Sequence, residues 1–349
     1  SWMSPSMRYQ ALNDSIFTAR GEDILIDITG AERLSVHAES IAPESACTSM
    51  QLHLQVSPAA FADNWNAAQI IAAPQLAMGA NSPYFFGHHL WAETRIELFA
   101  QATDTRPDEL KSQGVRPRVW FGERWITSIF DLFEENVRYF PTLLPEISEE
   151  DPAAELAAGR TPLLPELRLH NGTVYRWNRP VYDVVDGRPH VRVENRVLPA
   201  GPTVVDMMAN SAFYYGLLRT IAEEDRPLWT KMSFAAAHDN FLEAARNGMD
   251  ARLYWPGLGE VTPDELVLRH LLPMADEGLR RWKVAADVRD RYLGVIEGRA
   301  KTGRNGSVWQ VGTVEKLERR GLDRPRALAE MLRQYCELMH SNTPVHTWE

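Results

Sequence analysis

At 349 residues the chain has room for one large domain or two ordinary ones, which excludes a miniature fold held together by disulfides or metals. Hydrophobic residues make up 44%, including 11 Trp and 12 Phe, so a sizeable core can be buried and global disorder is excluded. With 47 acidic against 37 basic side chains the net charge is -10, which argues against a surface that binds nucleic acid through phosphate neutralisation.

Alternating apolar and polar residues predict a first strand over 49–56, and helical spacing predicts helices over 59–78, 90–101 and 126–139. The charged, Pro-containing stretch 103–117 reads as a loop, as does 145–165 with its acidic run Glu149, Glu150 and Asp151. Further alternation predicts strands over 166–170, 173–178 and 190–198. Asn171-Gly172, between the first two of these, reads as a type I′ hairpin because both residues tolerate positive φ. Helical spacing returns at 204–221, 234–247, 263–282, 285–300, 313–320 and 325–341, the last with Asp323 as a cap and Pro325 in its first turn. No fixed-period repeat or low-complexity tract interrupts the pattern. The expectation is an α+β chain, one domain over 1–349, with a helical layer from about 260 covering a sheet.

The two cysteines, Cys47 and Cys336, are far apart and lack metal-ligand spacing, which fits a reducing cytoplasm better than a disulfide-stapled secreted protein. No segment approaches the roughly 20 apolar residues of a membrane span. The start, SWMSPSMRYQ, has no basic segment leading into an apolar one. A soluble, cytoplasmic protein with neither nucleic-acid nor membrane partners is expected.

Side chains alternate sides along a strand, so Ser49, Gln51, His53 and Gln55 share one face and Met50, Leu52, Leu54 and Val56 the other. By the same rule His190, Arg192, Glu194 and Arg196 share one face of the 190–198 strand. Such faces are consistent with a sheet that has one solvated side and a structural salt-bridge ladder. The two polar faces together also suit a site: a carboxylate can hold magnesium through oxygen, and flanking guanidiniums can grip phosphate or carboxylate. Magnesium and arginine together are what phosphoryl transfer needs. No GxxxxGK[ST] motif occurs, and GRAKTGRNG at 298–306 has glycines without the strand-turn-helix context, so a P-loop enzyme is disfavoured.

Several segments, in order, resemble the bacterial glutamate-cysteine ligase family and its carboxylate-amine ligases. They are CTSMQLHLQV at 47–56, ANSPYFFG at 80–87 with ETR at 93–95, TVYRWNRPV at 173–181, HVRVENRVLPAGPTVVDMMANSAFYYG at 190–216 and DNFLEAARNGMDA at 239–251. The resemblance implies a glutamine synthetase-like fold whose antiparallel sheet forms a funnel, with ATP at one end, amino-acid substrates at the other and Mg2+ between. It implies that a glutamate γ-carboxylate attacks ATP to give an acyl-phosphate, from which an amine such as cysteine displaces phosphate. VRVENRV resembles the superfamily's R-x-E-x-R strand, so Glu194 would hold metal while Arg196 and Arg192 stabilise phosphoryl charge. QLHL matches a strand that normally reads H-x-H; Gln51 replaces the first histidine and His53 keeps the second, both as metal ligands. Arg95 would take a substrate carboxylate, Trp177 and Asn178 would line the amino-acid pocket, and Arg304 would contact nucleotide phosphate.

The resemblance also leads one to expect an opening G-x-E-x-E-like strand, which is not found. MSPSMRYQ resembles a region more than a hundred residues into such proteins, so a separate N-terminal portion or polypeptide is an expected partner, and the resemblance leaves room for a homo-oligomer. Gln51 and the missing acidic strand favour a rival reading, a non-catalytic nucleotide- or amino-acid-binding regulatory protein that keeps the fold.

Overall fold

The computed structural model describes residues 6–144 and 146–349; the head of the SWMSPSMRYQ start and Pro145, first residue of the predicted 145–165 loop, lie outside them. Helix α1 (Met7–Arg20) stops at Gly21, whose φ of 74° suits glycine. It leads into an antiparallel hairpin, β1 (Ile24–Thr29) and β2 (Arg33–Ala38), which the sequence reading passed over. The period was there: Ile24, Ile26 and Ile28 alternate and are all buried. Strand β3 (Leu52–Val56) follows, then α2 (Phe61–Gly79), which is buried on nearly every side, and α3 (Arg95–Ala102). Helix α4 (Ile129–Tyr139) opens with a Ser128–Asp131 capping box.

Residues 166–170, expected as a strand, belong instead to helix α5 (Pro165–Asn171). Pro165 in its first turn, with Arg168 and His170 in its last, gives this short segment helix-compatible ends. The expected Asn171-Gly172 hairpin does not form, since Gly172 has φ −65° and ψ −14° and simply ends the helix. Asn171 turns its side chain inward, donating to Pro180 O at 2.7 Å and accepting from Asn136 at 3.0 Å. Residues 173–178 divide: Tyr175–Arg176 pairs in parallel with Val119–Trp120, and β4 (Asn178–Val185) begins just beyond. The I′ turn is at Asp186-Gly187, with φ 50° and 72°, and it joins β4 to β5 (Arg188–Asn195).

Strands β3, β5 and β4 make an antiparallel sheet in that order. Among the described residues the other sheets are two-stranded pairs, so the architecture is mixed helix and small sheet. The largely buried helix α6 (Val204–Ala222) packs on α2, and α2 packs on α7 (Phe234–Asn247). The expected C-terminal helices form, as α8 (Leu272–Arg281), α9 (Ala286–Thr302), α10 (Gly306–Arg319) and α11 (Arg324–Ser341). Helix α8 approaches α6 closely enough that a Cβ on Gly278 would lie 1.9 Å from Gly216 O. Helices α10 and α11 enclose a second, smaller core with Trp309, Met331, Val345 and Trp348. Among the described residues no helix is long and apolar enough to cross a membrane.

Candidate active site

The register of the central sheet sets His53, Glu194 and Arg179 side by side across its three strands. Gln55, Arg192 and Val181 form the next such row, and Asp183 faces His190 beyond it. Directly opposed residues share a face and lie within side-chain reach. Arg179 Nε donates to Glu194 Oε2 at 2.5 Å, while Oε1 of the same carboxylate faces His53 Nε2 at 3.7 Å. Arg192 Nε donates to His53 Nδ1 at 3.0 Å, and its Nη1 lies 3.3 Å from Asp183 Oδ2 and 2.7 Å from His190 Nε2. Arg168 on α5 holds the other oxygen of Asp183 at 2.8 Å. Glu194 is 1% exposed, whereas the His53 side chain is 37% exposed, so the row runs from a buried carboxylate towards open solvent.

Burial pushes the His53 imidazole below its ordinary value; Glu194 pulls it back up, and the charges of Arg192, Arg179 and Arg196 press it down again. Because Nδ1 accepts from Arg192, the ring proton is on Nε2, facing Glu194.

Arg196 lies one residue past the end of β5, its guanidinium 5.5 Å from the Phe99 ring and 5.8 Å from that of Tyr175. Its Nε and Nη1 are buried without a hydrogen-bond partner. Burial, and then the like charge of Arg179, lowers its proton affinity. Close by, burial raises the Glu44 carboxyl while Arg196 opposes that rise. Three guanidiniums thus act on the region around one buried carboxylate, an arrangement that attracts anions.

The model of glutamate-cysteine ligase family 2 matches residues 3–323. The chain belongs to that family. Comparison with curated proteins gives no match. Among solved structures it is similar to the Pup ligase PafA of the prokaryotic ubiquitin-like modification pathway, determined in complex with ADP, at TM-score 0.38 and 11% identity. That match covers 93% of this chain and 60% of the PafA chain, so this chain spans less than two thirds of that ligase.

Of the residues singled out from the sequence of this glutamate-cysteine ligase family member, the sheet brings His53, Arg192 and Glu194 together. Gln51 is exposed just ahead of β3 and makes no side-chain hydrogen bond among the described residues. Arg95 is 4% exposed; its Nε donates to Glu93 at 3.0 Å, Nη1 to Arg196 O at 3.5 Å and Nη2 to Val197 O. It holds the chain that leaves β5. Trp177, 4% exposed, packs on Phe99, Phe241 and the Arg95 guanidinium. Asn178 is wholly buried, donating to Gln69 at 2.6 Å and accepting from Asn195 at 2.8 Å, in an amide chain that ties the sheet to α2. Arg304 follows α9, where it donates to Trp348 O and borders a cleft of about 300 Å³ with residues of α10.

The sequence reading missed Arg179 and Asp183. Their signal was the Asp186-Gly187 turn: pairing Val185 with Arg188 and counting back puts Arg179 opposite Glu194.

The donor set also bears on magnesium. Glu194 Oε1 has no hydrogen-bond donor among the described residues, so it is the oxygen a cation would take, with His53 beside it. No group of three or more His, Cys, Asp or Glu side chains is poised for a metal among the described residues. One carboxylate and one imidazole fit a magnesium ion that draws its other oxygens from nucleotide phosphates and water, its usual manner in phosphoryl-transfer sites.

Proposed function

We propose that the chain is an ATP-dependent carboxylate-amine ligase whose phosphate and cation chemistry is carried by β5 and its neighbours. The row His53, Glu194 and Arg179, flanked by Arg192 and Arg196, supports this reading in a chain of the glutamate-cysteine ligase family. The activated carboxylate is the γ-carboxylate of glutamate, and the acceptor is an amine such as that of cysteine. Glu194 and His53 hold Mg2+. When bound, the ion supplies positive charge against the phosphoryl oxygens. Arg192 and Arg196 donate paired hydrogen bonds to the transferring phosphoryl group, holding it in line with the attacking carboxylate. The buried Arg196 nitrogens that lack partners are preorganised for that task. Arg95, Trp177 and Asn178 act on the substrate by fixing the backbone that carries Arg196 and β4, and Arg304 reaches nucleotide only by leaving Trp348. The funnel form of the sheet is part of the same proposal.

Amino-acid-stimulated ADP release, measured over a panel of amino acids with and without Mg2+, tests the reading. Glu194→Gln removes the carboxylate charge and should lower turnover by about 100-fold or more, with the circular dichroism spectrum retained. Retained turnover would remove Glu194 from the metal site.

A second reading, a nucleotide- or amino-acid-binding regulatory protein without turnover, is favoured by one observation: guanidiniums already hold Glu194 and His53, two of the three expected metal ligands. Nucleotide binding without amino-acid-stimulated ADP release under any condition of the panel would select it.

A further inference from the structure

Both side chains proposed to hold the cation carry an arginine. Arg179 lies on Glu194 Oε2 at 2.5 Å, and Arg192 on His53 Nδ1 at 3.0 Å. The contact to Glu194 uses Arg179 Nε alone, and its Nη1 and Nη2 have no protein acceptor among the described residues. A guanidinium held by one of its donors, with its fork free, can still bind a second anion. The Arg192 contact has a chemical consequence as well. With Nδ1 accepting from Arg192, the ring proton is on Nε2, so His53 cannot ligate through Nε2 until Arg192 releases it.

Charge points to what would release them. Four guanidiniums, Arg168, Arg179, Arg192 and Arg196, face three carboxylates, Glu44, Asp183 and Glu194, and Arg196 feels Arg179 as a like charge. Before any ligand binds, the centre attracts a polyanion more strongly than a cation. Phosphate oxygens satisfy a guanidinium as well as a carboxylate does, and with better bidentate geometry than the single Nε contact.

Resting on the ligase reading, we infer that Arg179, with Arg192, is a counter-ion gate: it masks the cation ligands until a nucleotide polyphosphate draws the guanidiniums away. The metal therefore enters with the nucleotide and not before it. Arg179 would exchange Glu194 for a phosphate oxygen and leave the carboxylate free for the cation, and no covalent bond is made or broken. The sheet needs no rearrangement, since β3, β4 and β5 keep their register and only the Arg179 and Arg192 side chains move.

The test is equilibrium binding of Mn2+ to the intact protein, followed by loss of the free-ion electron paramagnetic resonance signal, with and without ADP. Wild type should bind Mn2+ weakly alone and at least about tenfold more tightly with ADP, after correction for the Mn2+ that ADP chelates in a protein-free control; the share of that gain due to the gate is read from Arg179→Gln. Arg179→Gln should bind Mn2+ alone about tenfold more tightly than wild type, and the gain from ADP should shrink. Arg179→Lys keeps the charge without the planar fork and should fall between them, which guards against misfolding of the glutamine variant. Arg168→Gln removes an equal charge that touches Asp183 and neither cation ligand, so it should leave Mn2+ affinity within about twofold of wild type.

Equal Mn2+ affinities for wild type and Arg179→Gln would overturn the gate and leave the metal site standing. An equal gain in Arg168→Gln would also overturn it, reducing the effect to net charge. Absence of Mn2+ binding in every protein, with or without ADP, would overturn both the gate and the metal role of Glu194.

Discussion

Replacing Arg299 by methionine should unlock the helical layer from the rest of the fold. Arg299 is 1% exposed and donates to Asp206 Oδ1 at 2.7 Å, Asp206 O at 3.2 Å, Asn210 Oδ1 at 2.6 Å and Met78 O at 3.3 Å. One side chain on α9 thus fastens α6 and the end of α2. Asp206 is wholly buried; without Arg299 it keeps the Thr203 hydroxyl at 2.7 Å and the Val345 N–H at 3.2 Å. Methionine fills most of the vacated volume, so the main loss is electrostatic: a buried carboxylate left without its counter-ion, costing about 3–5 kcal/mol. That is a large share of the roughly 5–15 kcal/mol by which domains are stable. Urea unfolding followed by circular dichroism measures it. Adding Asp206→Asn to Arg299→Met removes the stranded charge and should restore at least about 1 kcal/mol. A loss below about 1 kcal/mol in Arg299→Met, or no recovery in the double variant, would refute this account of the clamp.

Two further expectations come from the same interior. A methyl on Gly278 would sit 1.9 Å from Gly216 O, so Gly278→Ala must push α6 and α8 apart; a loss of about 1–3 kcal/mol in urea unfolding is expected, and an unchanged midpoint would count against the close approach. Burial, opposed by Arg95, pushes the Cys47 thiol up to about 12, so at pH 8 about one molecule in ten thousand carries the reactive thiolate. A thiol-specific reagent should label the exposed Cys336 in the native protein and reach Cys47 only after unfolding; two equivalents reacting in the native state would contradict this.

Local sequence was a good guide wherever one periodicity settled the matter. Alternation placed His53 with Gln55 and Arg192 with Glu194, and the sheet keeps those faces. Helical spacing located most of the long helices, α2, α6, α7 and α11 among them, because a buried stripe must repeat with the turn of the helix. Local signals failed where two short segments carried the same information. Asn171-Gly172 and Asp186-Gly187 are equally competent I′ turns, and the choice was made by long-range partners: Asn171 is drawn to Pro180 and Asn136, while Val185 and Arg188 close the β4–β5 ladder.

Residue type also misleads about exposure. Arg95 and Asn178 read as substrate contacts in the sequence; the folded chain buries both and directs their hydrogen bonds to its own backbone, to the Glu93 carboxylate and to amides. By itself, then, the sequence determined the family, the polar strand faces and the candidates for phosphate and cation, since these depend on residue identity and spacing. That Arg179 lies on Glu194, and Arg192 on His53, was decided by tertiary structure alone, because strand register couples residues 15 and 139 positions apart and no local propensity reaches that far.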